Sequence, residues 1–377
     1  MSRITVSRAL RPSLSLLEDK DEKQIYTKQL NSLLEWTKKD GLFPCSNPVS
    51  VCRSSVLCLA EERLDSPHLA TLKSDGVRYI LFLTMRRAKG SGPVALMIDR
   101  CGTMFEVETV GEENVYTDDT ILEGELVWEQ PNQDKMLFLL FDALRVDGET
   151  ILSLPFSERY KKVHKLTSAS EDIAELPRSD MEERVLETRC ISLVQYSPPV
   201  RMRPKVFVSV EHIPRLWKDR KEAGHHVDGI ILQDPNRPYH PGTCRDGSIL
   251  KWKEHSTVDL KLGEGNTLLC GNGEVLPSIL HSLPVERKLS RIDTPPSSSP
   301  SAFQGRVVEF FVEVKNKRVV FFGIRSRPDK DRANTLSVVL ATLKDILDPI
   351  TPDEMSSMLC RTKPSTPPHT EGQEQSI

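Results

Sequence analysis

An α+β fold is what this sequence predicts, with a larger region of antiparallel sheet followed by a smaller β-rich region closed by a helix. Three observations carry that prediction. Short strand-like runs crowd residues 69–252 with few helical windows between them, a Pro/Ser segment interrupts the chain at 294–301, and a hairpin pattern backed by one helix follows it. The 377 residues suggest two domains, and 38% hydrophobic residues supply their cores.

The elements follow in order. Residues 1–20 show no period and are expected to be a flexible N-terminus. Asp21-Glu22-Lys23-Gln24 opens a helix reaching about residue 39, because Ile25, Leu30, Leu33, Leu34 and Trp36 recur at helical spacing. After a turn-rich stretch, alternation predicts strands at 79–85, 94–98, 104–107, 122–127 and 136–141. Helices are expected at 180–187 and 212–223, and strands at 206–210, 229–232 and 249–252, which closes a domain over 21–255. The second domain, 256–350, begins with a strand at 257–262 and a Gly-rich stretch, and carries a Pro/Ser-rich loop near 285–304. Its hairpin strands, 306–314 and 319–324, flank Lys315-Asn316-Lys317-Arg318, and Asn334 is placed to cap a helix bearing Leu336, Val339, Leu340, Leu343 and Leu347. Residues 351–377 are expected to form a disordered tail.

Composition removes several function classes. Lys and Arg total 51 against 54 Asp and Glu, a formal charge of −3, so bulk coating of nucleic acid is excluded and a nucleic-acid site has to be a local basic groove. No run of about 18 apolar residues and no signal-peptide pattern is present, so a soluble intracellular protein is expected. The eight cysteines form no Cys-x-x-Cys pair, which removes zinc-ribbon and disulfide-scaffold readings. Gly-x-Gly-x-x-Gly, the Walker P-loop and His-Glu-x-x-His are absent as well. The adjacent His225 and His226 point apart on any regular element and make a poor metal site, and the basic run from Arg159 to Lys165 reads as a solvated helix face.

The string that carries chemistry is Thr71-Leu72-Lys73-Ser74-Asp75-Gly76-Val77-Arg78-Tyr79, in which a lysine precedes a tight Asp-Gly turn leading into an apolar strand. A lysine attacks phosphorus only as the neutral amine, so its usual pKa of about 10.4 has to be lowered by burial, cations or metal. Further strings follow in order: Ile98-Asp99-Arg100, Leu122-Glu123-Gly124-Glu125-Leu126-Val127, Phe138-Leu139-Leu140-Phe141-Asp142, Val227-Asp228-Gly229-Ile230-Ile231, Leu250-Lys251-Trp252-Lys253 and Arg325-Ser326-Arg327-Pro328-Asp329-Lys330. On a strand, Lys251 and Lys253 share one face and Trp252 points away from them.

This ordered set resembles the GTP:RNA guanylyltransferases, the mRNA capping enzymes, of the covalent lysyl-nucleotidyltransferase superfamily that also holds the DNA and RNA ligases. Phe43-Pro44-Cys45-Ser46-Asn47-Pro48-Val49-Ser50 and Ser256-Thr257-Val258-Asp259 are similar to further strings of that family. The resemblance implies an antiparallel-sheet nucleotidyltransferase domain followed by an OB-fold β-barrel domain. It implies that Lys73 attacks the α-phosphate of GTP and passes GMP to the 5′-diphosphate end of RNA. Matched residue by residue, it implies nucleotide-binding roles for Asp75, Arg78, Arg100, Glu125, Phe141, Lys205, Asp228, Lys251, Lys253, Asp259, Arg325, Asp329 and Lys330, with Glu125 and Asp228 on Mg2+ or Mn2+. The implied partners are GTP, RNA, a separate RNA triphosphatase and the phosphorylated tail of RNA polymerase II, with no membrane. Nuclear residence follows from that function, the cytoplasm being the alternative for a viral or parasite chain. An ATP-dependent polynucleotide ligase and a non-catalytic RNA- or polymerase-binding scaffold are the other readings of the same motifs. The sequence departs from the family pattern at Cys45, where a glycine is usual, at Glu123, where Asp is usual, at Glu254, where Pro is frequent, and at Arg332-Ala333-Asn334, where Pro-Asn is common.

Overall fold

The structure, a computed structural model, describes residues 15–37, 45–62, 68–87, 90–107, 113–130, 136–167, 200–264, 267–276, 285–288, 304–315, 318–327, 330 and 332–360. Its frame is three sheets. The largest has eight strands and is centred on Val77–Met85, which lies antiparallel between Pro93–Asp99 and Thr120–Trp128. Met136–Val146 continues it antiparallel, and Val200–Pro204 adds a parallel edge. Alternation sends Tyr79, Leu81 and Leu83 to one face and Ile80 and Phe82 to the other. Each face is covered by a helix. Phe156–Thr167 packs Phe156, Tyr160 and Val163 on the first, and Lys20–Leu33, capped by Asp19, packs Tyr26 and Leu30 on the second. That capped helix stops at Leu33, short of the expected residue 39, because Leu34 leaves helical geometry and Glu35 takes a positive φ of 55°.

The second sheet holds Val208–Ser209, Leu69–Ser74, Val227–Gln233, Ile249–Lys253 and Val49–Ser50, in that order. Helices Arg53–Glu62, Ile213–Lys218 and Pro352–Leu359 bury Val56, Ile213 and Met355 against its Ala70, Ile230 and Leu250. The last of these helices corrects the expectation of a tail at 352–359, while 361–377 lie outside the described residues. Thr351 and Glu354 form a reciprocal capping box, and Met355 and Met358 give a run of eight residues something to bury. The chain thus returns to the larger region at its end, where Trp252 Nε1 donates to the Ile350 carbonyl at 2.7 Å.

The third sheet runs Leu268–Leu269, Thr257–Leu262, Val307–Lys315, Arg318–Ser326 and Val285–Lys288, with helix Leu336–Leu347 packing Val339 and Leu343 onto it. No pairing among the described residues joins its first strand to its last, so it stands as an open five-stranded sheet and a closed barrel is not among the described pairings. Thr335, not Asn334, is the N-cap of that helix. Asn334 instead pins the segment before it, accepting from the Asp259 amide through Oδ1 at 2.7 Å and donating its own amide to the Asp259 carbonyl. The helix expected at 180–187 and the Pro/Ser segment at 294–301 lie outside the described residues.

Candidate active site

Lys73 sits where the chain leaves one sheet for another. Leu69–Ser74 belongs to the five-stranded second sheet and Val77–Met85 to the eight-stranded first, so Asp75-Gly76 is the crossing between them. Glycine is required there by space. A Cβ on Gly76 would lie 2.4 Å from the Leu126 carbonyl and 2.9 Å from the Glu125 side chain. The crossing is held from both sides, since the Asp75 amide donates to the His226 carbonyl at 2.9 Å and the Gly76 amide to Glu125 Oε1 at 3.2 Å.

Three neighbouring strands then converge on one carboxylate. Lys73 pairs in register with Gly229, and Gly229 with Lys253. Lys73 Nζ donates to Asp228 Oδ1 at 2.6 Å, while Lys253 Nζ lies 3.0 Å from Asp228 Oδ2. Asp228 reaches both because it is the extra residue of a β-bulge, the register stepping from Val227 opposite Ser74 to Gly229 opposite Lys73. Gly229 makes the strand contact feasible, since a Cβ there would fall 2.0 Å from the Trp252 carbonyl.

The first sheet supplies the other wall. Phe141 is also a bulge residue, skipped where the register steps from Glu123 opposite Asp142 to Gly124 opposite Leu140, and its ring is half-buried. The Arg78 guanidinium lies 5.2 Å from that ring centroid and the Lys205 ammonium 5.9 Å. Lys205 is buried and stands 3.5 Å from Glu125 Oε2, and its burial pulls the ammonium below the usual lysine range despite that carboxylate. Arg78 donates through Nε to Glu123 Oε1 at 2.8 Å and through Nη1 to the Ser46 carbonyl at 2.6 Å.

Of the predicted residues, the structure brings Lys73, Asp75, Arg78, Glu125, Phe141, Lys205, Asp228 and Lys253 to this junction of two sheets, and Lys251, two positions before Lys253 on the same strand, lies near Asp345 of helix Leu336–Leu347. Arg100 is exposed in the turn after Pro93–Asp99, at the sheet end where Tyr79 pairs with Asp99. Asp259, Arg325 and Lys330 gather separately on the third sheet. There Arg325 Nε meets Glu309 Oε2 at 2.7 Å, and Lys330 bonds to Asp259. Asp329 lies outside the described residues.

Several participants were not singled out from sequence. Arg327, buried, bonds Asp259 at 3.0 Å and reaches Glu309, although it stands in the same Arg-x-Arg-x-Asp-Lys string as Arg325. His225, set aside as a metal ligand, lies against the strand of Lys73: its Nδ1 faces the Ala223 carbonyl and therefore donates, leaving Nε2 to accept from the Ser74 hydroxyl at 2.9 Å. Burial, with Lys205 nearby, brings the His225 pKa down to about 4, so it stays neutral.

The acidic side chains fit a divalent ion that arrives with its substrate. No group of three or more His, Cys, Asp or Glu side chains among the described residues could cage a metal. Glu125 and Asp228 each already face a lysine. Such a pair suits an ion like Mg2+, which keeps its waters and phosphate oxygens and takes only one or two carboxylates.

The model of the mRNA capping enzyme catalytic domain matches residues 13–255. The chain belongs to that family. As a capping enzyme it is an mRNA guanylyltransferase that takes GTP and a divalent metal. It is similar to the mRNA-capping enzyme subunit alpha of Schizosaccharomyces pombe, 28% identical over 371 residues, covering 90% of this chain and 85% of the relative. The Yarrowia lipolytica protein of the same description is 25% identical, covering 82% of this chain and 80% of the relative. Among solved structures, a mycobacterial DNA ligase D complexed with ATP and MES overlaps 77% of this chain and 96% of its own at 16% identity and a TM-score of 0.38, too loose a likeness to add to the family match.

Proposed function

We propose that this capping enzyme works through a covalent Lys73-GMP intermediate. The lone pair of the neutral Lys73 Nζ attacks the α-phosphorus of GTP, the bond to the bridging α-β oxygen breaks, and pyrophosphate leaves. A terminal oxygen of a 5′-diphosphate RNA end then attacks the same phosphorus, the N–P bond breaks, and GpppRNA is released with the amine regenerated. The observation that supports this most directly is the Lys73–Asp228–Lys253 triad at the sheet crossing. Asp228 holds Lys73 in place, and an arriving α-phosphate takes over as the counter-ion of Lys253 and Lys251. Phe141 offers its face to the base, Arg78 and Glu125 line the ribose side, and Lys205 meets the guanine edge. Glu125 and Asp228 would hold a Mg2+ or Mn2+ arriving with the triphosphate, which would supply neutralisation of phosphate charge.

The third sheet we assign to an OB-fold domain, 256–350, with Arg325, Asp329 and Lys330 orienting the pyrophosphate when it closes on the larger domain, 21–255. The relatives described as subunit alpha support a separate triphosphatase subunit as partner. RNA with a 5′-diphosphate end, the phosphorylated tail of RNA polymerase II and nuclear residence complete the proposal. Its test is incubation of the purified chain with α-labelled GTP or ATP and Mg2+ or Mn2+, followed by denaturing electrophoresis. Label from GTP alone, discharged by pyrophosphate and absent in Lys73→Ala, is the expected result. Label from ATP, or label retained in the variant, overturns it.

A further inference from the structure

Behind Arg78 lies a buried polar assembly. Glu123, 1% exposed, accepts from Arg78 on Oε1 and from the Tyr239 hydroxyl on Oε2 at 3.2 Å. The Tyr239 oxygen in turn accepts the Ser46 amide at 3.2 Å, and Ser46 offers its carbonyl to Arg78 Nη1 at 2.6 Å. One hydroxyl therefore ties the carboxylate that anchors the guanidinium to the amide of the residue whose carbonyl is the second anchor. The Cys45 thiol completes the ring of contacts: it is fully buried, and burial together with the Glu123 charge pushes its pKa well up, so it remains a thiol facing that carboxylate. Tyr239 is itself fixed. Its ring lies 5.5 Å from the guanidinium of Arg159, which is held by Asp142 through two bonds of 2.8 and 2.9 Å, and its amide donates to the Leu152 carbonyl.

We propose that Tyr239 is a positioning residue for nucleotide binding, acting through Glu123 and Ser46 to aim Arg78, with Cys45 supporting the same carboxylate. The two family departures here are then linked. Glu123 is one methylene longer than the usual Asp, and both Tyr239 and the unusual Cys45 stand against its carboxylate. The inference rests on the reading that Arg78 faces the bound nucleotide. A buried carboxylate carrying one arginine has free lone pairs, and leaving them unbonded would let the carboxylate, and the arginine with it, swing. Arg78 already lies over Phe141, so a swing moves it off the ring that the base is expected to meet.

The test measures the rate of covalent GMP adduct formation against GTP concentration in the full chain, for wild type, Tyr239→Phe, Arg78→Lys and the double variant. Loss of one hydrogen bond to a charged group predicts that Tyr239→Phe raises the half-saturating GTP concentration about tenfold. The maximal rate should stay near the wild-type value, a split that a general loss of structure would not give. In the Arg78→Lys background the same substitution should shift half-saturation by less than about twofold, because the two residues act as one unit. An unshifted Tyr239→Phe, or effects of the two substitutions that multiply in full, overturns the proposal while leaving the wild-type reaction in place. Absence of adduct in the wild type overturns the guanylyltransferase reading itself. Should Tyr239→Phe fail to melt cooperatively, Cys45→Ala keeps ring and carboxylate and carries the question. A rise of about two- to threefold in half-saturation supports the proposal and no change overturns it.

Discussion

Two carboxylates in this molecule do the same thing in different surroundings. Asp228 is shared by Lys73 and Lys253, and Asp259 by Arg327 and Lys330, each carboxylate on a strand and bridging two cations. The first trio is open: the side chains of Lys73, Asp228 and Lys253 keep 14%, 26% and 26% of their exposure. The second is packed at Asp259, 9% exposed, and Arg327, 4%, with Lys330 open at 28%, and Glu309 draws Arg325 into the same network. An incoming anion can compete for the lysines of the first trio at small desolvation cost. In the second, the Arg327–Asp259 pair is already desolvated, and separating it leaves a buried charge. The open trio is therefore suited to exchange of counter-ions and the packed Arg327–Asp259 pair to holding a sheet together.

That contrast makes testable claims. Lys73→Ala should abolish labelling from GTP while leaving the melting temperature within a few degrees, since Asp228 keeps Lys253 as its partner; residual label would break the distinction. Asp259→Ala should cost about 3 kcal/mol of stability by removing the nearer carboxylate of the buried Arg327 and leaving it Glu309 at 3.4 Å, measurable by denaturant unfolding. A cost below about 1 kcal/mol would place Asp259 with the exposed pairs.

His225 sharpens the account through pH. Its folded pKa of about 4 lies below the unfolded value near 6.5, so between them the unfolded chain takes a proton that the native state refuses. Stability from this group is present above pH 6.5 and falls away as pH drops toward 4, by about 3 kcal/mol. Relative to His225→Asn, the wild type should lose that much more over the same interval, and parallel curves would contradict a buried neutral imidazole. The smallest effect expected is that of Asp228→Asn, a slowing of adduct formation of about tenfold with little change in stability, because an amide still accepts from Lys73 but no longer neutralises two ammoniums.

Much of this was legible in the sequence because alternation is a local property. The strands at Val77–Met85, Pro93–Asp99 and Met104–Val107 lie where period-two patterning puts them, and the hairpin Val307–Lys315 to Arg318–Ser326 does too. Helix Pro352–Leu359 was missed although Thr351 and Glu354 spell a capping box and Met355, Met358 and Leu359 keep helical spacing, because a run of eight residues is short and its stability comes from Ile213 and Leu216 more than 130 residues earlier in the chain. The motif strings located the site, yet not how it is assembled. Nothing local announces that Phe141 and Asp228 are bulge residues, since a bulge is a relation between two strands. Nor could Glu123 be joined to Tyr239, 116 positions away, before the fold brought the second sheet's connecting loop against the first.

The central claim is that the chemistry passes through Lys73 and not through the lysines around it. Incubation of the wild-type chain with GTP and Mg2+, proteolysis and mass spectrometry of the GMP-bearing peptide test it most directly. The expected result is one modified peptide, containing Lys73, whose label is discharged by pyrophosphate. GMP on Lys205, Lys251 or Lys253, or on no peptide in a folded protein that consumes GTP, would contradict it.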